Sequence, residues 1–429
     1  MPLDCGHQPD LQSIRVCRHI WENNTNVDFA FIFTEDELEH RICSACARKP
    51  AEIQTQLRTI CAQCLDALEF RGLEDIERRP GIRERQNDLI FVHQEIQLKP
   101  GILTDSCAVQ PIPGSSSALW LAVTVGGQVV RIDLTERYIS ILFRVQPTEL
   151  PLTDKVLLAL SPDAAYIAIA NKLGSTGIII QTADGQPTMK LDRGNYYPEQ
   201  TPFPVAFVVL NNELYVIHGT NGNRLDISDP KTGRLLTERS PTSYRQGEPR
   251  PAHYLDYFHG QLIVSPNNEW AAEYGWVWHP IGHVRCWNLP QWLNGNVWES
   301  EDGPSLKRFA DAACFWNGPL CWVGDHRLAV WGIGDDEEDM IPAVRIFDVV
   351  HGNRERWFYG PEQGLLVFDR YLFSGSEQGM SVWDAATGER LLHDPTLNPI
   401  SYHRDTKRFL SILPDGTCRL SHLIDRGLG

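Results

Sequence analysis

The sequence predicts a mainly β protein in which a small α+β zinc-binding domain precedes a larger domain built from repeats. Pairs of metal-ligand residues crowd into the first 64 of its 429 residues. From about residue 88 onward, short runs of Val, Ile, Leu, Phe and Trp alternate with Gly, Pro, Asn and Asp, which is typical of many short strands. Within that region a strand that ends in an acidic or amide residue recurs, and this self-similarity indicates a repeat architecture.

The first segment contains six cysteines and two histidines in four close pairs. Thiolate and imidazole are ligands that Zn²⁺ prefers, and a closed structural site uses four of them. Eight ligands therefore predict two structural zinc ions. The spacing from residue 43 to residue 64 is typical of a zinc ribbon or treble clef, whereas the Cys-x-His form of the first half is less standard. The expected ligands are Cys5, His7, Cys17, His19, Cys43, Cys46, Cys61 and Cys64.

The sequence leaves open which pairs share an ion. The pairing can be sequential, or interleaved as in the cross-brace of RING-type domains, and His40 can replace one ligand of the first half. A RING-like domain would imply ubiquitin-ligase activity through partner recruitment, but the two Cys-x-His pairs fit that family poorly. In any of these arrangements, metal binding would supply folding free energy to a segment too short and too polar to build a large core.

The domain boundaries follow from local composition. Residues 50–60 and 63–79 are predicted to be helical, because good helix formers combine there with apolar residues at helical spacing. The charged stretch 74–88 is predicted to be a linker. We therefore expect a two-zinc domain over residues 1–73 and the repeat domain over residues 89–429.

The repeats carry a family resemblance. A strand-like run that ends in Asp or Asn recurs at residues 129–133, 283–288, 344–348 and 380–384. Two copies share a downstream Thr-Gly turn, at 232–233 and 387–388, where glycine is free to adopt positive φ. These fragments resemble the WD40-like β-propeller superfamily over about residues 88–425, most specifically in Ser381-Val-Trp-Asp384. No Gly-His dipeptide stands where that family usually has one, so its hydrogen-bonded tetrad is not expected.

The resemblance implies a seven-bladed β-propeller, with six or eight blades as alternatives. The run 89–98 is strand-like but has no unit of its own, and the last unit lacks an outer strand. We expect this run to close the ring by pairing with the last blade, which removes exposed sheet edges. The expected blade starts are Leu119, Leu157, Val205, Tyr254, Ala313, Leu365 and Ile400.

Charge and hydropathy restrict the partners. The formal net charge is −16, from 39 basic and 55 acidic residues, which disfavours binding to nucleic acid. The first 100 residues carry 12 basic and 17 acidic residues, so the zinc-binding domain is no exception. The sequence shows neither a signal peptide nor an apolar run long enough to span a membrane. We expect a cytoplasmic protein, without a membrane or nucleic-acid partner, whose five remaining cysteines are reduced thiols.

Three further features are candidates for function. The acidic run 335–339 is expected to form a solvated loop, with a basic partner or a loosely held Ca²⁺ as alternatives. His253, His259, His279 and His283 either converge on a metal in the propeller channel or satisfy local hydrogen bonds. An aromatic-rich stretch either packs between blades or forms an exposed binding patch. Its members are Trp270, Tyr274, Trp276, Trp278, His279, Trp287, Trp292 and Trp298.

The sequence contains no nucleophile elbow, phosphate-binding loop, His-Glu-x-x-His motif or dinucleotide-binding fingerprint. We therefore expect a non-enzymatic scaffold or adaptor for protein–protein interaction, whose partners are proteins of unknown identity. The alternative is a propeller enzyme, a hydrolase or lyase, with its site in the central channel. That alternative requires several ionisable side chains to converge on one channel mouth.

Overall fold

The computed structural model describes residues 13–17, 21, 29–33, 39–43, 57–61, 81–98, 106–153, 155–220, 224–240, 249–278 and 280–428. The first part of the chain forms a four-stranded sheet in the order β2-β3-β1-β4, in which β1 and β3 are parallel and the other pairs are antiparallel. Its strands are β1 (Ser13–Cys17), β2 (Phe29–Phe33), β3 (Glu39–Cys43) and β4 (Leu57–Cys61).

The helix predicted over 50–60 is wrong at its C-terminal end, because Leu57–Cys61 is strand β4. This strand pairs with β1 along its whole length, from Cys17 opposite Leu57 to Ser13 opposite Cys61, and Ile60 is fully buried. The pairing partner lies some 40 residues earlier in the chain, so tertiary contacts override the local helix preference. The helix predicted over 63–79 lies outside the described residues.

Seven further sheets follow, and each is one blade of a propeller. Blade 1 comprises β6 (Ser106–Pro111), β7 (Leu119–Thr124), β8 (Gln128–Asp133) and β9 (Tyr138–Arg144). Blade 2 comprises β10 (Val156–Leu160), β11 (Tyr166–Asn171), β12 (Thr176–Gln181) and β13 (Pro187–Asp192). Blade 3 comprises β14 (Val205–Leu210), β15 (Glu213–Thr220) and β16 (Arg224–Ser228). Blade 4 comprises β17 (Ile263–Val264), β18 (Trp270–Val277), β19 (Ile281–Asn288) and β20 (Lys307–Ala313).

The remaining blades complete the ring. Blade 5 comprises β21 (Leu320–Trp322), β22 (Arg327–Ile333), β23 (Ile341–Asp348) and β24 (Asn353–Tyr359). Blade 6 comprises β25 (Leu365–Phe368), β26 (Leu372–Ser376), β27 (Gly379–Trp383) and β28 (Arg390–Asp394). Blade 7 comprises β29 (Ser401–His403), β30 (Arg408–Ile412), β31 (Cys418–Asp425) and β5 (Leu89–Ile96). The prediction of seven blades is confirmed.

The predicted ring closure is also confirmed. Strand β5 supplies the outer strand of blade 7 and pairs with β31 over eight residues, from Cys418 opposite Ile96 to Asp425 opposite Leu89. The first strand of the propeller in the sequence, β5, is thereby hydrogen-bonded to the last, β31. Without β5, the edge of β31 would be unpaired.

Burial within a blade explains the sequence texture. The second strand of blade 2, β11, is buried along nearly its whole length, because both faces of a blade pack against neighbouring blades. The outer strand of blade 1, β9, has no fully buried residue and carries exposed Tyr138 and Ile141. In blade 6 the Trp383 indole donates to the Ser374 hydroxyl at 2.8 Å, which links the third strand to the second inside the core.

Four of the seven expected blade starts fall within one residue of an inner strand. The other three differ, because blade 1 begins one strand before Leu119 and the inner strands of blades 4 and 5 begin after Tyr254 and Ala313. Blade 4 also carries an insertion between β19 and β20, formed by two short helices, α1 (Leu289–Asn294) and α2 (Glu299–Asp302). No helix within the described residues is long and apolar enough to cross a membrane.

Of the predicted linker, the structure describes residues 81–88, which lie along the outer edge of blade 6. The Arg85 backbone N–H donates to the Arg390 carbonyl at 3.0 Å, and the Arg390 N–H donates to the Arg83 carbonyl at 2.8 Å. Arg85 also forms an ion pair with Asp384 at 2.8 Å. The segment therefore forms a single parallel β-bridge, with Glu84 opposite Arg390 at the start of β28.

Candidate interaction face

The connections between strands divide between two faces of the ring. Because successive strands of a blade alternate in direction, the link between the second and third strands lies on the same face as the link to the next blade. We call this the upper face. It carries residues 193–204, which join blades 2 and 3, and residues 278–280, which join β18 to β19.

Four aromatic rings from four separate segments stack on the upper face. Tyr196 stacks on Phe258 with ring centroids 5.4 Å apart, and Phe258 stacks on Trp276 at 4.6 Å. Trp276 in turn stacks on Trp316 at 5.1 Å. Phe258 and Trp276 are buried, so the stack forms a solid base that reaches the surface at Tyr196.

Two further rings pack against the edge of this stack. Trp278 meets Tyr196 and Tyr197 edge-on, with centroids 6.4 and 5.0 Å away, and its indole N–H donates to the Tyr196 hydroxyl at 3.2 Å. Tyr196 is 48% exposed and Tyr197 is 46% exposed, whereas Trp278 is half-buried. We call Tyr196, Tyr197 and Trp278 the aromatic patch. Two of its three rings are exposed, and all three are held in place by neighbouring rings.

One buried arginine holds the loop that carries the two tyrosines. The Arg193 guanidinium lies over the Phe203 ring at 5.2 Å, and burial lowers the pKa of Arg193 to about 10 against the attraction of Glu199. This guanidinium donates to the Thr201 hydroxyl and to the carbonyls of Gly174, Pro198, Thr201 and Pro202. With five acceptors on one side chain, the loop has a fixed shape and the patch a fixed position.

The same loop reaches across the mouth of the central channel. The Gln200 carbonyl accepts hydrogen bonds from the Trp316 indole at 2.9 Å and from the Asn317 side chain at 3.4 Å, which ties this loop to the connection between blades 4 and 5. A cavity of about 470 Å³ opens here. Its ionisable lining residues are Lys172 and Tyr274. Several ionisable groups, as the enzyme alternative requires, do not converge on this mouth among the described residues.

The acidic run 335–339 lies on the upper face, where it joins β22 to β23. Its backbone is ordered by the end of β20: the Ala313 N–H donates to the Asp335 carbonyl at 2.7 Å, and the Glu337 N–H donates to the Ala313 carbonyl at 3.0 Å. Asp336 is half-buried and the other four residues of the run are exposed. The run is thus a solvated loop with a fixed backbone.

The candidate histidines lie apart, each beside its own carboxylate. The pairs are His253 with Asp302, His259 with Glu273 and His283 with Asp311, at N–O distances of 2.8, 2.7 and 2.7 Å. His279 lies outside the described residues. Among the residues that the structure describes, no three or more His, Cys, Asp or Glu side chains are grouped so as to hold a metal ion. Each of these three histidines is hydrogen-bonded through its Nδ1 to a neighbouring carboxylate.

Three of the eight expected zinc ligands lie in the described part of the chain. Cys17 is the last residue of β1 and Cys43 is the last residue of β3. Because these two strands are parallel, both cysteines lie where the strands end, on the same side of the sheet along the strand direction. Cys61 is the last residue of β4, which is antiparallel to β1. It therefore lies opposite Ser13, at the other end of β1 from Cys17. The other expected ligands, Cys5, His7, His19, Cys46 and Cys64, lie outside the described residues.

The aromatic stretch divides between core and surface. Trp270, Tyr274, Trp276, Trp287 and Trp292 are buried, and Trp278 and Trp298 are half-buried. Sequence reasoning missed Tyr196, Tyr197, Phe258 and Trp316, which complete the stack and the patch. One available signal was the Tyr-Tyr pair at 196–197, because its neighbours Gly194, Asn195 and Pro198 indicate a loop, and loops often carry binding residues.

No protein-family model and no curated protein matches this chain. Among solved structures, the chain is similar to the β-propeller domain of Cps50 (Swd1) from Myceliophteria thermophila, with a TM-score of 0.48 and 12% sequence identity. The alignment covers 77% of this chain and 99% of that one. The pairing of the seven sheets and the closure by β5 define this protein as a seven-bladed β-propeller.

Proposed function

We propose that this protein is a non-enzymatic interaction scaffold that binds a partner protein through the aromatic patch. The observation that carries the proposal is that Tyr196 and Tyr197 are each nearly half exposed on a base of packed rings. Tyr and Trp are enriched in binding hot spots. A surface that is ordered before binding also loses little conformational entropy when a partner docks.

The rigidity of the loop supports the same function. Arg193 fixes the loop from inside, so the loop does not depend on the exposed faces of Tyr196 and Tyr197 for its shape, and these faces are available to a partner. The blades supply the rest of the frame, because the stacked rings come from the connections of three consecutive blade junctions and from β18. This division between a buried anchor and an exposed patch is what a recognition surface requires.

The N-terminal residues are proposed to bind two structural zinc ions through the eight ligands named above. The paired spacing of the ligands and the position of three of them at strand ends support this proposal. Thiolate and imidazole donors suit zinc, and the metal would stabilise a four-stranded sheet too small to be stable on its own core. The domain would then be a second, metal-stabilised surface of the scaffold.

Site-specific photo-crosslinking tests the binding surface. A benzoylphenylalanine residue at position 197 of the full chain, irradiated in the native cell extract, is expected to capture a partner. The same residue at position 138, on the exposed outer strand of blade 1, is the matched control, because Tyr138 is 58% exposed. Capture at 197 without capture at 138 supports the proposal, and equal capture or none at either position contradicts it.

The captured partner, once purified, permits a quantitative check. Trp278→Ala is expected to weaken its binding by about 30-fold, as for a hot-spot residue whose truncation costs about 2 kcal/mol. Tyr138→Ala is expected to leave the affinity unchanged. Unfolding curves of both variants show whether the fold is intact. An unaltered affinity for Trp278→Ala would place the partner elsewhere.

A further inference from the structure

The acidic run presents four exposed carboxylates, while the fifth, Asp336, accepts a hydrogen bond from the Glu338 backbone N–H at 3.1 Å. Elsewhere in the propeller, carboxylates such as Asp226 and Asp384 pair with arginine at 2.9 and 2.8 Å. Across the described residues, no Lys, Arg or His forms an ion pair with any side chain of the run 335–339. Five acidic side chains on one ordered loop therefore leave a strongly negative, unneutralised surface.

This negative surface and the aromatic patch are carried by segments that are hydrogen-bonded to the same strand end. The Cys314 N–H donates to the Pro280 carbonyl at 2.7 Å, two residues beyond Trp278. The neighbouring Ala313 N–H donates to the Asp335 carbonyl at 2.7 Å. Two backbone hydrogen bonds from adjacent residues therefore tie the loop of Trp278 on one side and the acidic run on the other to the end of β20. The exposed Glu199 adds a further carboxylate two residues from Tyr197.

We propose that the aromatic patch and the acidic run together bind a basic segment of a partner protein, one that presents Lys or Arg side chains to both. This inference rests on the proposed function and names the chemistry of the partner. Cationic side chains are attracted to the faces of Tyr and Trp rings and, at the same time, to carboxylates. A purely apolar partner would leave the acidic run unpaired, and an acidic partner would be repelled by it.

The arginine side chain suits both surfaces, because it can bind an aromatic ring and a carboxylate. Its guanidinium stacks on an aromatic face with its planar surface while its N–H groups, directed outward, donate to carboxylates. A basic segment of several residues can place one such side chain on the aromatic patch and another on the acidic run. A lysine satisfies the charge but not the planar stacking, so arginine-containing segments are expected to bind more tightly than lysine-containing ones.

Fluorescence polarisation with the full chain tests this inference. The probes are fluorescein-labelled peptides of about 12 residues, in which Gly and Ser alternate with Arg, with Lys, with Glu or with no charged residue. The Arg peptide is expected to bind most tightly. Raising the salt from about 0.1 M to about 1 M is expected to weaken this binding strongly, because the screening length shortens from about 10 Å to about 3 Å.

A matched pair of triple variants separates the local surface from the overall charge of −16. The test variant is Asp335→Asn with Glu337→Gln and Glu338→Gln, which removes three charges from the run. The control is Glu136→Gln with Asp184→Asn and Glu213→Gln, which removes three charges from exposed residues on the opposite face. The test variant is expected to weaken binding of the Arg peptide by about tenfold, and the control by less than about twofold.

Trp278→Ala is expected to weaken binding of the Arg peptide by about tenfold as well, provided that the melting curve of the variant is unchanged. Equal losses in the two triple variants would overturn the inference, because the attraction would then come from net charge alone. Binding of the Arg peptide no tighter than that of the uncharged peptide would overturn it too. In both cases a partner captured at position 197 would still stand, so the failure would concern the basic chemistry and not the binding face.

Discussion

The Phe91 ring meets the Phe409 ring edge-on with centroids 6.0 Å apart, although the two residues come from opposite ends of the propeller sequence. Phe91 lies on the closing strand β5 and Phe409 on β30, two strands further in within blade 7. Both are buried in the cluster that blades 6 and 7 share. The closing strand therefore contributes packing as well as backbone pairing.

Phe91→Ala is expected to lower the free energy of unfolding by about 3 kcal/mol, because it removes a buried ring and leaves a cavity between two blades. Val92 is the matched control, since it is the next residue on the strand, points to the opposite face and is 36% exposed. Val92→Ala is expected to change stability by less than about 0.5 kcal/mol. Urea unfolding of the two variants provides the comparison. Similar losses would mean that β5 holds the ring by backbone pairing alone.

A second prediction concerns the buried ion cluster between blade 3 and the helical insertion of blade 4. Arg239 pairs with Asp226 at 2.9 Å and with Glu301, and all three side chains are at most 3% exposed. Arg239→Met leaves the Glu301 carboxylate buried without its partner, so the free energy of unfolding is expected to fall by about 3–5 kcal/mol.

An exposed ion pair of the same type is the control for this prediction. Arg327 and Glu355 lie 2.8 Å apart, but the arginine side chain is 54% exposed. Arg327→Met is expected to cost less than about 1 kcal/mol, because water screens the pair and solvates the remaining carboxylate. Thermal and urea unfolding measure both changes. A loss of less than about 1 kcal/mol for Arg239→Met would show that the cluster relaxes around the missing charge.

The fold was more predictable from the sequence than the site, for physical reasons. The closing strand 89–96 could be inferred, because a strand-like run without a repeat and a last repeat without an outer strand need each other. The starts of blades 4 and 5 were misplaced, because Tyr254 lies in the connection before β17 and Ala313 is the last residue of β20, the outer strand of blade 4. Short sequence patterns indicate that strands are present, but they do not show where a connection ends and the next inner strand begins.

The aromatic patch could not be found in this way. Tyr196 stacks on Phe258, and Trp276 on Trp316, only because the blades bring their connections to one face. No spacing in the sequence encodes that proximity. The strand Leu57–Cys61 was mistaken for a helix for the same reason, since its partner β1 comes from a distant part of the chain.

A third prediction concerns acid stability. His218 is buried, and burial lowers its pKa against the opposing effects of the Gly219 carbonyl and Asp226. The folded state therefore keeps this histidine neutral, while the unfolded chain takes up a proton below pH about 6.5. Its contribution to stability is present above that pH and is lost as the pH falls toward the lower folded-state pKa.

His218→Gln is expected to flatten the fall of the unfolding free energy between pH 6.5 and 5, by at most about 1.4 kcal/mol per pH unit. His283 and His403, whose pKa values burial also lowers, keep part of the slope in the variant. The exposed His326 is the control, and His326→Gln should leave the slope as it is. Urea titrations at several pH values measure the slopes, and an unchanged slope for His218→Gln would assign the acid sensitivity to other groups.

The last prediction concerns how the proposed zinc ligands divide between two ions. Cys61 lies opposite Ser13, four residues along β1 from Cys17, which places the Cys17 and Cys61 Cα atoms about 14 Å apart. Two cysteines on one zinc, with Zn–S bonds of about 2.3 Å, have Cα atoms at most about 10 Å apart. Cys43 lies still further from Cys61, two strands away at the other edge of the sheet. If zinc binds, Cys61 is therefore expected on a different ion from Cys17 and Cys43.

This geometry disfavours both sequential and interleaved pairing, since each places Cys61 on an ion with Cys17 or Cys43. It favours Cys17/His19 with Cys43/Cys46 and Cys5/His7 with Cys61/Cys64. Cys17→Ser with Cys43→Ser is then expected to retain one zinc per chain, measured by elemental analysis of the full-length protein. Cys17→Ser with Cys61→Ser is expected to retain no zinc. The control is Cys314→Ser, which replaces an exposed thiol of the propeller and is expected to retain both zinc ions. One retained zinc in the Cys17/Cys61 variant would show that these two cysteines bind the same ion, which contradicts the assignment. A wild-type chain that contains no zinc would contradict the proposal of zinc binding itself.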